Sequence, residues 1–144
     1  MRAAAVWGAS HEEKTVAHVD IDLVDEFFVR AAPEPVAAAF HDETAWKAWW
    51  PDLTLTVFMD RGLEGLRWSV TGAWTGSLEI WLEAKPDGIL VHHYLRITDE
   101  RKASWRRALR VRHRRAVAWK RHTWALKDRL EADRPVPAPP VRAQ

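Results

Sequence analysis

From Glu100 to Arg134 the chain contains neither proline nor glycine, and Arg, Ala, Leu and Lys dominate, so the segment after Asp99 is expected to form one helix of about eight turns. Asp99 is the expected N-cap. At 100° per residue, Trp105, Leu109, Arg112, Ala116, Trp119, Thr123, Leu126 and Leu130 fall in one stripe, which must be buried, while the other Arg and Lys residues mostly face away. A helix this long needs a large apolar partner, and with 144 residues there is room for a single core.

The partner is legible in the preceding segment. Four runs alternate between an apolar and a mixed face, as strands of an antiparallel sheet do. They are Leu53 to Asp60, Leu66 to Thr71, Ser77 to Glu83 and Ile89 to Thr98. Arg61-Gly62 with Gly65, then Gly72, then Lys85-Pro86-Asp87-Gly88 supply the turns between them. In the fourth run Ile89, Val91, His93, Leu95 and Ile97 share a face. A fifth strand is expected from His18 to Arg30, where Val19, Ile21, Leu23, Phe27 and Val29 recur at a spacing of two. Pro33 and Pro35 break it and open a short helix through Phe40. Asp42 then caps a second short helix, whose Trp46, Trp49 and Trp50 form a stripe ending at Pro51.

Residues 1–17 are expected to be an untargeted tail, 18–133 the folded domain, and 134–144 a Pro-rich disordered tail. No apolar run approaches the roughly 20 residues of a membrane span. The chain has no cysteine, which rules out disulfides, a thiol nucleophile and thiolate metal sites and fits a cytoplasmic location. His92 and His93, adjacent on a strand, point to opposite faces, so no metal site is expected, and no cofactor motif is present.

The net charge of +2 conceals a division: residues 101–134 carry 13 basic and 3 acidic side chains, residues 1–100 carry 8 basic and 17 acidic. Either an acidic part of the domain matches the basic helix, or an anionic partner does.

The order strand, two short helices, antiparallel meander, long C-terminal helix resembles the START-like (SRPBCC) superfamily, and within it the actinobacterial-looking polyketide cyclase/dehydrase and lipid-transport group. The stretches carrying the resemblance are Val24-Asp25-Glu26-Phe27-Phe28-Val29-Arg30-Ala31-Ala32-Pro33-Glu34-Pro35-Val36 and Ala45-Trp46-Lys47-Ala48-Trp49-Trp50-Pro51-Asp52-Leu53. It spans roughly residues 20 to 132, nearly all of the chain. The resemblance implies an α+β helix-grip fold, a curved antiparallel sheet wrapped around the long helix with an apolar pocket between them. The five strands counted here are fewer than the six or seven common in that superfamily, which implies a smaller or more open cavity.

On that reading the function is binding of a hydrophobic small molecule, lipid or polyketide-like. The expected ligand-binding residues are Phe27, Trp68, Val91, His93, Trp105, Leu109, Arg112, Trp119 and Thr123, with Asp25 as a further polar candidate. If there is cyclase chemistry, His93 would move a proton near neutral pH and Arg112 would stabilise an enolate oxygen. Each has a plain structural alternative. His93 can be a core histidine, Arg112 a solvated or ion-paired side chain, and Trp46, Trp49 and Trp50 a plug at one end of the core. Two other function classes stand beside this one: an anionic partner, nucleic acid or a membrane surface, bound through the Arg-rich helix, with nucleic acid not favoured; and a co-chaperone-like interaction module using exposed Trp81 and Tyr94 and the Pro-rich tail. A monomer and a homodimer are both compatible with the sequence.

Overall fold

The computed structural model describes residues 19–132; the two expected tails lie outside the described residues. Strand β1 (Ile21–Val29) leads into helices α1 (Pro33–Phe40) and α2 (Glu43–Trp49). Strands β2 (Thr54–Asp60), β3 (Gly65–Thr71), β4 (Trp74–Lys85) and β5 (Gly88–Asp99) follow, with a 3-10 turn at Gly62–Glu64, and helix α3 (Trp105–Glu131) comes last. All five strands form one antiparallel sheet in the order β1-β5-β4-β3-β2. The N-terminal strand thus returns to the far edge of the meander and pairs with β5 from Ile21 opposite Ile97 to Val29 opposite Ile89.

The alternation in each strand gives the sheet one apolar face. Ile21, Leu23 and Val29, Leu66, Trp68 and Val70, Leu78, Ile80 and Leu82, and Ile89, Val91, Leu95 and Ile97 are all buried there. Each such side chain contributes roughly 1.5–3 kcal/mol by leaving water. Val36, Phe40 and Trp50 from the short helices and Val111, Trp119 and Leu126 of α3 complete the core. Two glycines let neighbouring strands approach closely: Gly65 and Gly76 have φ of 112° and 147°, and a Cβ on either would lie 2.0 Å from a carbonyl oxygen, of Ile80 and Arg96 respectively.

Four expectations are corrected. First, Asp99 does not cap α3. The β4–β5 ladder continues to the pair Trp74–Asp99, and the buried Asp99 carboxylate accepts from the backbone and side chain of Arg101 and pairs with Arg107 at 3.8 Å. Ser104 caps the helix instead, its Oγ accepting from Arg107 N. Second, β2 is an exposed edge strand with an irregularity between Val57 and Met59, so Val57, Phe58 and Met59 face solvent. Third, Trp81 and Tyr94 are half-buried. Trp81 lies flat on His92 with ring centroids 4.3 Å apart, and His92 sits between Glu83 (2.9 Å) and Glu26 (3.3 Å) on the sheet's other face.

The fourth correction concerns α3. Its buried line runs through Val111, Arg115, Trp119, Thr123 and Leu126, centred roughly 50° around the helix from the expected stripe. The helix packs on β1 and α2, and its first turns carry Trp105 and Leu109, 67% and 56% exposed, into solvent together with Arg112. Several of its cations meet acids of the N-terminal part: Arg115 pairs with Asp52 at 2.5 Å and Lys120 with Asp25 at 3.4 Å. Lys127 donates to Phe28 O and to Glu131, whose carboxylate also accepts from Arg30 N. Arg106, Arg110, Arg112, Arg114 and Arg121 have no carboxylate partner among the described residues.

Candidate ligand cavity

Between the apolar sheet face and α3 lies a cavity of about 240 Å3. Leu23 of β1 and His93 and Leu95 of β5 form its floor; Val111, Arg114, Arg115, Ala118 and Trp119 of α3 form one wall; Trp49, Trp50, Pro51 and Asp52 form the other. Alternation in β5 aims His93 inward, the helical repeat aligns Val111, Arg115, Ala118 and Trp119, and Pro51 ends α2 so that Trp50 turns into the core.

The aromatic groups are arranged face to face. Trp119 stacks on His93 at 4.1 Å and on Trp50 at 5.6 Å, each at 19°, and Trp50 lies parallel to His93 at 6.2 Å. Polar atoms without partners lie on three of the lining residues, His93, Trp119 and Arg115, and on two residues outside the lining, Trp68 and Asp25. His93 Nδ1 and Nε2, Trp119 Nε1, Trp68 Nε1, Arg115 Nε and Asp25 Oδ2 are buried with no hydrogen-bond partner among the described residues. Such groups normally find partners, and each one left over costs on the order of 1–3 kcal/mol. Burial, reinforced by the Arg115 charge, pushes the His93 imidazole down to about 3, so it is neutral at pH 7 and offers one donor and one acceptor. Burial also lowers Arg115, while Asp52 opposes that shift; the guanidinium remains a cation at neutral pH.

Of the expected site residues, His93 and Trp119 line the cavity. Phe27 meets Trp119 edge-on at 6.2 Å, Trp68 lies behind Trp50 at 5.5 Å and Val91 is buried on the same sheet face. Thr123 is buried, but its hydroxyl donates to Lys120 O within the helix. Asp25 stands opposite His93 in the β1–β5 register. Trp105, Leu109 and Arg112 are outside the cavity, and the guanidinium in it belongs to Arg115. The expected His93–Arg112 pair is therefore not assembled, and a histidine held neutral down to about pH 3 is a poor proton carrier near neutrality. Trp49, Trp50, Asp52 and Arg115 were not among the expected ligand-binding residues. The signal for Arg115 was its place four residues before Trp119, on the same helical line.

A larger depression of about 1420 Å3 opens over the other sheet face beside Arg61, Arg67, Glu79, Trp81 and Tyr94. Its charges satisfy one another, Arg67 with Glu79 at 3.0 Å and Arg61 with Glu64 at 2.9 Å, and the unpartnered buried atoms lie elsewhere. Among the described residues no helix is long and apolar enough to cross a membrane, and no three His, Asp or Glu side chains gather in a way that would hold a metal ion.

No protein-family model matches the chain, and no curated protein matches it at a significant level. Solved structures do. The Aha1 dimer from Colwellia psychrerythraea superposes with a TM-score of 0.55 at 17% identity, over 80% of this chain and 99% of that one. A structural-genomics target from Deinococcus radiodurans superposes with a TM-score of 0.56 at 10% identity, over 78% and 99%. A START superfamily protein from Mycobacterium smegmatis superposes more loosely, with a TM-score of 0.46 at 14% identity, over 77% and 97%. At these identities the likeness is one of fold. With its curved five-stranded antiparallel sheet, two short helices after β1 and long C-terminal helix, the chain has an α+β helix-grip fold.

Proposed function

We propose that the protein binds a hydrophobic small molecule in the cavity between the sheet and α3. The observation that carries this reading is the coincidence of stacked aromatic walls with buried, unpartnered polar atoms at one place. An apolar enclosure with a few convergent polar groups is the usual make-up of a ligand site. Its volume lies below the roughly 300–1,000 Å3 of drug-sized pockets, so a compound of one or two rings, or a short segment of a lipid or polyketide-like chain, is the size that fits. Binding and positioning are what this arrangement supports; no proton-transfer pair is assembled in it.

The test is native mass spectrometry of gently purified protein, followed by denaturation and identification of what is released. The wild type is expected to carry a small apolar adduct and Ala118→Trp, whose indole would fill the cavity, is expected to be free of it. The same adduct on both proteins would locate the ligand elsewhere.

A second reading, contact with an anionic surface through α3, is favoured by Arg106, Arg110, Arg112 and Arg121 interleaved with Trp105 and Trp124, both more than 60% exposed. Salt-sensitive retention on heparin would support it. The co-chaperone-like reading rests on Trp81, Tyr94 and the Pro-rich tail; Trp81 and Tyr94 are half-buried, and the tail lies outside the described residues.

A further inference from the structure

Resting on the cavity reading above, we propose that the ligand is a planar aromatic anion, its ring against the Trp50–Trp119–His93 wall and its charged oxygen at the Arg115 guanidinium. Three independent features of the site select that chemistry.

The first is the balance of charge at the mouth. Arg101 and Arg115 each place their guanidinium carbon 5.4 Å from the Trp74 ring centroid, so both cations share one aromatic platform. Arg114 lines the cavity beside them, and Arg107 reaches Asp99 at 3.8 Å. Of the charged residues that line the cavity, two are guanidiniums, Arg114 and Arg115, and one is a carboxylate, Asp52. Asp99 is already engaged by Arg101 and Arg107, and Asp52 pairs with Arg115 at 2.5 Å, which leaves Arg114 at the cavity with no carboxylate partner among the described residues. The mouth carries a surplus of positive charge next to a poorly hydrated interior, where an entering anion is attracted most strongly.

The second feature is a surplus of donors. Of the unpartnered buried atoms, two N–H donors belong to residues that line the cavity, Trp119 and Arg115. Neutral His93 adds one donor and one acceptor. The other acceptor is Asp25 Oδ2, on a carboxylate whose Oδ1 already takes Lys120 Nζ. A ligand that brings oxygen acceptors satisfies the interior; one that brings only donors, or nothing polar, leaves most of these groups stranded.

The third is shape. The wall of parallel rings offers a flat face, and about 240 Å3 holds one or two fused rings but not an extended acyl chain. The Arg115 guanidinium at the entrance fits a carboxylate or phenolate at one end of the ring system.

The experiment compares two isosteres, 2-naphthoate and the neutral 2-naphthamide, by isothermal titration calorimetry on the full chain at pH 7. The naphthoate is expected to bind about tenfold tighter or more, as for a charge-assisted hydrogen bond. Arg115→Met is expected to abolish that preference while leaving the affinity for naphthamide unchanged within about twofold. Arg114→Gln, at an exposed position where folding is not at risk, is expected to reduce the preference in part. Equal affinity for the two compounds in the wild type would overturn the anion assignment and leave the cavity reading intact. Failure of both to bind would overturn the two together. Undiminished naphthoate binding by Ala118→Trp would place the anion outside the cavity and overturn the proposal.

Discussion

His93 lies flat against Trp119, ring centroids 4.1 Å apart, and neither of its ring nitrogens has a hydrogen-bond partner among the described residues. Its environment has a measurable consequence for stability. Burial lowers the folded-state value from 6.5 to about 3, so between those limits the unfolded chain takes up a proton that the folded chain refuses. The contribution is fully present above pH 6.5 and is lost as the pH falls toward 3, at up to about 1.4 kcal/mol per pH unit. His41, whose value is raised, and His122, whose value is lowered, also titrate, so the comparison is with a variant. Between pH 7.5 and pH 5 the wild type is expected to lose about 2 kcal/mol more than His93→Phe in urea unfolding. Equal losses would show that His93 is not held neutral.

At pH 7 the same substitution separates stability from binding. Phenylalanine keeps the stack on Trp119 and removes two stranded polar atoms, so His93→Phe is expected to be as stable as the wild type or more stable by about 1–2 kcal/mol. Its affinity for an oxygen-bearing arene is expected to fall. Thermal melting and calorimetry read the two effects; a large loss of stability would mean that His93 has a structural partner.

Gly76 and Gly65 tie the sheet together by close contact. Gly76→Ala would put a methyl group into the Arg96 carbonyl at a backbone angle that side chains seldom adopt, and Gly65→Ala would do the same at Ile80. Each is expected to cost about 1–3 kcal/mol or more, whereas Gly62→Ala, with nothing within 4 Å of the added Cβ, is expected to cost less, its φ of +60° being its only penalty. Chemical denaturation of the three variants ranks them.

The solvent face of α3 makes the opposite prediction. Trp105→Ala, Leu109→Ala and Arg112→Ala are each expected to change stability by about 0.5 kcal/mol or less and to leave affinity for a cavity ligand unaltered, because none of the three side chains reaches the core or the cavity. A loss of affinity in any of them would mean that α3 is rotated from the arrangement described.

What could be read in advance follows from which forces leave a local trace. The inward set Ile89, Val91, His93, Leu95 and Ile97 was legible because a half-buried strand must alternate, and the length of α3 was legible because nothing in it breaks a helix. The rotation of α3 was not. Arg115 reads as a solvent residue, yet its long stem crosses the buried line and delivers the guanidinium to Asp52 and the Trp74 ring, a contact with a residue 63 positions away. With Arg115 counted as outward, the buried line shifts toward Trp105 and Leu109. Trp49 and Trp50 were visible as an apolar stripe, but whether such a stripe plugs a core or walls a cavity depends on what α3 places opposite it. Asp99 is a good cap by type; the five residues between strand and helix let Ser104 take the role while Asp99 binds Arg101 and Arg107.

The most direct test of the central claim uses the tryptophan indole N–H resonances in 15N-labelled protein, assigned by single Trp→Phe variants and followed during titration with 2-naphthoate. The account predicts that the signals of Trp50 and Trp119, which line the cavity, and of Trp68 behind them shift together and saturate, while those of Trp105 and Trp124 on the solvent face of α3 stay in place. Saturating shifts confined to Trp105 and Trp124, with Trp119 unmoved, would contradict it.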